Sequence, residues 1–322
     1  MARLWKRVRQ EHQEAELRVG LGGASRSAVA VASVLALLVG STVGKASETG
    51  RGAANASEGR IAISVGATAA KQDVYVVNAD GSGRLRRLTS GAAGEFDPSW
   101  SPNGRLIAYR RETRDGQPHI YVMHADGSRK RNLTKGSVGG ISPAWSPDGR
   151  AIAFASVRSG FLTELWLMKP DGSRQRRVGR VNGEYPDWSP DGKRIVFDHL
   201  TVASSDWNIW VVNADGSGAR PLVAWRGSKE QGASWSPDGA WIAFQSDRGS
   251  SDGLPRVWIA RSDGSQARRL TGRVGERPTW SPDGTSIAFT GNHLFISSRD
   301  GRSVREVPVA APGYIGLADW GR

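Results

Sequence analysis

The chain has 322 residues, a net charge of +13 and no cysteine. The missing cysteines exclude disulfides and a lipid-modified terminal cysteine, so stability must come from packing alone. The positive charge invites a nucleic-acid reading, but the places where the charge falls, in short clusters at regular intervals, argue against one.

In chain order, residues 1–26 carry Arg3, Lys6, Arg7, Arg9, Arg18 and Arg26, mixed with Glu11, Glu14 and Glu16. Ser27 to Gly44, "SAVAVASVLALLVGSTVG", then runs for 18 residues without a charge, which just reaches the length that spans a bilayer. Fewer basic residues follow it (Lys45, Arg51 and Arg60) than precede it, so the positive-inside rule leaves the amino end in the cytoplasm. Segment 27–44 is therefore read as a hydrophobic helix, either a transmembrane signal anchor or a signal-peptide core. Residues 1–26 are its cytoplasmic basic segment. The long leading region favours the uncleaved anchor; cleavage near Ala46 is the alternative and would give a secreted or periplasmic protein. Residues 45–57, "KASETGRGAANAS", read as a linker.

From residue 58 the chain repeats. "PSWSPNGRLIAY" begins at Pro98, "PAWSPDGRAIAF" at Pro143, "PDWSPDGKRIVF" at Pro186, "ASWSPDGAWIAF" at Ala233 and "PTWSPDGTSIAF" at Pro278. The marker residues Trp100, Trp145, Trp188, Trp235, Trp280 and Trp320 fall 40 to 47 residues apart, with an Asp-Gly turn in each interval. Each unit predicts four strands. The first ends at the tryptophan, and Ser-Pro-Asp-Gly makes a tight bulged hairpin into the second. A variable loop leads to the third strand, and the Asp-Gly turn leads to the fourth. Aromatic and aliphatic columns, Ile63/Tyr109/Phe154/Phe197/Phe244/Phe289 and Tyr75/Tyr121/Trp166/Trp210/Trp258/Phe295, would be buried between stacked units. "EGRIAIS" at Glu58 lacks its tryptophan strand, and "LADWGR" at Leu317 is that strand with no partner. Together they predict an all-β, six-bladed β-propeller over 58–322, its four-stranded blades closed by a C-terminal innermost strand.

The W-S-P-[D/N]-G copies with "NADGSG" and "RRLT" downstream resemble the TolB-like (WD40-like) six-bladed β-propeller repeat family over about residues 58–322. The resemblance implies a binding platform working outside the cytoplasm.

Basic residues cluster at the fourth strands, from Arg84, Arg86 and Arg87 to Arg302 and Arg305. Charge there discourages edge-to-edge pairing, and the same rim offers a surface to anionic envelope phosphates. No cofactor, metal or nucleic-acid partner is expected, and no catalytic residue is assigned. Gly249-Ser250-Ser251-Asp252-Gly253 matches G-x-S-x-G but falls in a loop between strands, and the histidines are scattered. Recognition is instead expected on the face of the variable loops, of which "DHLTVASSDWN" and "SDRGSSDGLPR" are long. An acidic rhythm marks the channel mouth there: Glu95, Glu184, Glu230 and Glu276 before the inner strands, and Asp97, Tyr185, Asp187, Arg277 and Asp319 within them. These residues would receive a protein or peptide partner, a cationic segment or cation among the options. The competing reading is an envelope-polymer glycan lyase or hydrolase using Asp97, Glu184, Asp187 and Glu276 as acid and base.

Overall fold

The computed structural model describes residues 59–68, 70–113, 116–136, 139–156, 162–202, 204–309 and 313–321. They form six antiparallel sheets of four strands, each running from an inner to an outer strand: a six-bladed propeller. The inner strands are Tyr314–Gly321 in blade one, then Glu95–Trp100, Ile141–Trp145, Glu184–Trp188, Glu230–Trp235 and Glu276–Trp280 in blades two to six. Tyr314–Gly321 pairs with Arg60–Thr68, Trp320 lying opposite Ile61 and Ala318 opposite Ile63, so the last strand completes the first blade. The segments read as cytoplasmic (1–26), anchor (27–44) and linker (45–57) lie outside the described residues. Among the described residues no helix is long and apolar enough to cross a membrane.

The core is six cores, one in each gap between blades. Between blades two and three, for example, Ala108, Ile120, Val122 and Leu133 face Trp145, Ile152, Phe154 and Met168. The period of two along a strand explains the division: Ile61 and Ile63 turn toward blade six, while Ala62 between them turns toward blade two. Bulky Tyr109, Phe154, Phe197, Phe244 and Phe289 are fully buried. Each sits directly opposite its third-strand aromatic, Phe154 with Trp166 and Phe244 with Trp258. Those third-strand aromatics are mostly half-buried. The marker tryptophans are 4–9% exposed, and Trp188 Nε1 donates to the Ala144 carbonyl of the preceding blade at 3.2 Å.

The hairpin turns explain themselves from sequence. In blade three Gly149 N donates to Ser146 O, and Ser146 Oγ donates to Asp148 Oδ1 at 2.6 Å. Gly149 has φ +69, the left-handed region that glycine enters without penalty. One expected loop is not a loop. In "DHLTVASSDWN" the strands Arg194–Thr201 and Asp206–Asn213 continue pairing, His199 opposite Asn208 and Thr201 opposite Asp206, so blade four raises a longer hairpin above its neighbours.

The basic outer strands also do something the sequence does not announce. Arg86 Nη2 donates to Ala125 O at 2.5 Å, Arg131 to Pro170 O, Arg176 to Ala214 O at 2.9 Å and Arg305 to Ala79 O at 2.6 Å. Arg268 reaches Arg299 O and Asp300 O at 3.4 and 3.5 Å. Every acceptor lies in or beside the Asp-Gly turn of the next blade. These guanidiniums are ties around the rim rather than a free anionic-surface patch. The turn glycines take part, for a Cβ on Gly172 or Gly264 would lie 2.4 or 2.1 Å from the carbonyl oxygen of Leu133 or Leu222 on the preceding blade.

Candidate functional site: the central channel

Three residues before the marker tryptophan, the inner strands break register. The pairing shifts between Phe96 and Ser99, Ile141 and Ala144, Glu184 and Asp187, Gln231 and Ser234, and Glu276 and Thr279. At that position Asp97, Ser142, Tyr185, Gly232 and Arg277 all have φ between +49° and +63°. Four of these five are not glycine, so the strain of the left-handed region is accepted for what the bulge accomplishes. It places the five residues on the wall of a central cavity of about 110 Å³, which they line with Asp187, Asp319 and the inner-strand prolines.

The residues on this wall depend on one another. Arg277 of blade six extends across blade five, where a Cβ on Gly232 would come within 3.1 Å of Arg277 Cδ. Its guanidinium carbon ends 3.5 Å above the centroid of the Tyr185 ring in blade four. Gly232 is thus the gap that lets a cation–π pair form over an intervening blade. Beneath it Asp198 is fully buried, and its Oδ1 accepts the Gly232 amide at 2.8 Å. Arg277 Nη1 lies 3.9 Å from Asp198 Oδ2, an ion-pair distance too long for a hydrogen bond. Burial pushes the Asp198 carboxyl up to about 8, with the Arg277 charge pulling the other way. Arg277 Nη1, Asp198 Oδ2 and Ser142 Oγ are buried without a hydrogen-bond partner among the described residues. Across the channel Asp97 Oδ2 accepts the Ser142 amide at 3.2 Å and faces Arg110 Nε at 3.4 Å.

Asp187 and Asp319 occupy a second level, one residue before the tryptophans. Each accepts the amide of the next blade's tryptophan, Asp187 from Trp235 at 2.7 Å and Asp319 from Trp100 at 2.6 Å. Burial raises Asp187 to about 7, the Asp319 charge adding to the shift, and raises Asp319 to about 6. Both carboxylates are therefore partly neutral near pH 7 and half committed to holding blades together.

The four glutamates do not join this wall. Counting back from the tryptophan separates them into two phases: Glu95 and Glu230 stand five residues before it, Glu184 and Glu276 four. Glu230 is fully buried and accepts Trp225 N, Ser228 Oγ and Ser246 Oγ at 3.1, 2.7 and 3.0 Å. Glu95 is also buried; burial, with Asp73 beside it, lifts it to about 7 against the pull of Arg111. Glu184 accepts Thr163 Oγ1 at 2.9 Å, and Glu276 opens its strand half-buried. The acidic rhythm is thus mostly inter-strand scaffolding, and the channel holds a guanidinium as well as carboxylates. What sequence reasoning missed were Ser142 and Gly232, whose shared spacing from the tryptophan was the available signal.

Other candidate chemistry resolves into structure. Ser250 Oγ is held at 2.5 Å from Leu254 O and 3.0 Å from Asp252 Oδ1 in a surface loop. No group of side chains suited to a metal ion occurs among the described residues.

A family model described as the TolB beta propeller domain matches residues 122–303, more than half of the chain. Over 101 residues, 30% of this chain, the sequence is 35% identical to a Bacillus subtilis (strain 168) protein named Uncharacterized peptidase YuxL, of which it covers 14%. The solved structure of TolB from Acinetobacter baumannii superposes with a TM-score of 0.68 at 24% identity, over 81% of this chain and 66% of that one. A putative TolB from Agrobacterium tumefaciens gives 0.64 at 22% identity, over 78% and 89%.

Proposed function

This chain belongs to the TolB beta propeller domain family, and on that premise we propose that it is a non-catalytic binding platform whose channel takes a side chain or chain end of a protein or peptide partner. One observation carries the reading. A bulge repeated in five blades turns four different side chains, Asp97, Ser142, Tyr185 and Arg277, and the bare backbone of Gly232 onto one wall while the flanking framework stays constant. A peptide offers both signs of hydrogen-bonding group, matching the donors Arg277 and Ser142 and the acceptor Asp97. The cavity volume of about 110 Å³ fits a side chain or chain end; small-molecule and sugar sites are typically about 300 Å³ or more. That size, and the hydrogen bonds that Asp187 and Asp319 already accept from the Trp235 and Trp100 amides, disfavour the glycan lyase or hydrolase reading.

We place the platform outside the cytoplasm, on the strength of the uncharged stretch 27–44 and the basic residues before it. Capture from envelope extracts with the full chain tests both parts. The expected result is one partner retained by the wild type and lost on Arg277→Ala or Tyr185→Ala. A partner indifferent to both substitutions, or recovered only from cytosol, would overturn the reading.

A further inference from the structure

We propose that a cleft in blade five, separate from the channel, binds a phosphate-bearing small ligand. Two loops meet there, and they share a sequence: Trp225-Arg226-Gly227-Ser228 joins blades four and five, and Asp247-Arg248-Gly249-Ser250 follows the second strand of blade five. Between them lies a cavity of about 530 Å³ lined by Arg226, Gly227, Asp247, Arg248, Gly249 and Gly253, with the two serines. This is within the range of small-molecule sites.

The lining is built for an anion. Gly227, Gly249 and Gly253 have φ of +77, +66 and +69, and nothing stands within 4 Å of where their Cβ atoms would be. The framework glycines of the Asp-Gly turns differ, since there a Cβ would strike a neighbouring blade. In the cleft the space beside the backbone is open, so a ligand can approach the amides closely. Arg248 stacks 4.5 Å over the Trp225 ring, an arrangement that fixes a guanidinium while leaving its in-plane N–H groups to face a ligand. Neither Arg226 nor Arg248 has an ion-pair partner among the described residues. Asp247, the acid on the wall, has its Oδ1 accepting the Lys229 amide at 2.8 Å. Asp252 is paired with Arg256 at 2.8 Å. On the cleft wall Arg226 and Arg248 against Asp247 leave a local excess of one positive charge, which favours an anion such as phosphate.

The loops are also held still. Buried Glu230 ties Trp225 N and Ser228 Oγ of one loop to Ser246 Oγ beside the other. Trp225 packs against Trp258 and Phe244 with ring centroids 5.1 and 5.8 Å away. Ser250 N closes the second loop on Asp247 O at 3.0 Å. A preorganised cleft loses little on binding.

The test is a titration of the full chain with inorganic phosphate, followed by calorimetry and by the amide shifts of Gly227, Gly249 and Gly253. Saturable binding that moves those three amides is expected. The double variant Arg226→Gln/Arg248→Gln should weaken it by about tenfold or more, the worth of a charge-assisted hydrogen bond. Arg302→Gln, on a side chain 89% exposed elsewhere, should leave it unchanged. A parallel arm uses glycerol 3-phosphate and vesicles of phosphatidylglycerol in phosphatidylcholine. Binding of the soluble phosphates supports the proposal. Binding to vesicles alone would overturn it in favour of a membrane-surface contact. No saturable binding, or an equal loss with Arg302→Gln, would overturn it outright, as would saturation that leaves the three glycine amides unmoved.

Discussion

The turn face and the channel wall use the same strands in opposite ways. On the turn face polar atoms are committed, blade after blade, to their own hairpin or to the next blade: Ser146 to Asp148, Arg176 to Ala214 O, Gly172 against Leu133 O. On the channel wall, a few residues along the same strands, Arg277 Nη1, Ser142 Oγ and Asp198 Oδ2 have no hydrogen-bond partner among the described residues. Positions that join blades repeat in the sequence because each joint poses the same geometric problem. Positions relieved of that duty differ from blade to blade.

Four perturbations test this contrast. The largest effect is expected at the joint itself: Trp188→Ala should cost about 3–5 kcal/mol by urea unfolding, as for large core truncations. A loss below about 1 kcal/mol would mean that the tryptophan column is not what locks blade to blade. Next, the two regions should respond oppositely to pH. The buried carboxyls on the channel side, Asp187, Asp198 and Asp319, have folded-state values raised to between about 6 and 8, and Glu95, off the wall, is raised to about 7. The folded state therefore holds more protons than the unfolded one as pH rises from the ordinary carboxylate range through those values, and stability falls across that window. The turn aspartates, Asp148 among them, are lowered by the serine hydroxyls and following amides. Their contribution is present above the unfolded value and is lost on acidification below it. Melting across pH should show a maximum near the ordinary carboxylate range, with a decline of several degrees toward neutrality that Asp187→Asn reduces. A melting temperature that climbs from pH 4 to 7 would contradict the assignment.

The third comparison is between glycines. Gly264→Ala drives a Cβ against Leu222 O, whereas Gly116→Ala meets nothing within 4 Å, although both have positive φ (+87 and +77). Thermal unfolding should show about 1 kcal/mol of backbone strain for Gly116→Ala and clearly more for Gly264→Ala; equal effects would remove the close approach as the reason. Smallest should be Arg176→Ala, at about 0.5–1 kcal/mol for one exposed hydrogen bond. A larger loss in a denaturant titration would make the rim ties more than trim.

The blade count, the closing strand and the paired aromatic columns could all be read from residue spacing, because a repeat states its own register many times. The channel wall was harder. A left-handed residue usually advertises itself as glycine, and of Asp97, Ser142, Tyr185, Gly232 and Arg277 only one does. The glutamates misled because their recurrence looked regular, while all four stand before the bulged residue that turns onto the wall, at two different distances from the tryptophan. "DHLTVASSDWN" misled for a related reason: its polar residues lie on a hairpin that rises clear of neighbouring blades and so needs no hydrophobic alternation. The arginine ties depend on a turn some forty residues away, and nothing local encodes such a partner.

The rim ties have one interruption. Five outer strands reach the next blade through arginine, but in blade four Arg220 turns back to its own neighbour, Pro221 O, at 3.4 Å. Blades four and five are fastened near the axis by Asp187 on Trp235 N and Asp198 on Gly232 N. At that joint the outer contact is the close approach of the Gly264 turn to Leu222 O rather than an arginine tie. The loop bearing Trp225 and Arg226 crosses that same joint, so a ligand held in the blade-five cleft would clasp blades four and five where, among the described residues, no rim arginine does.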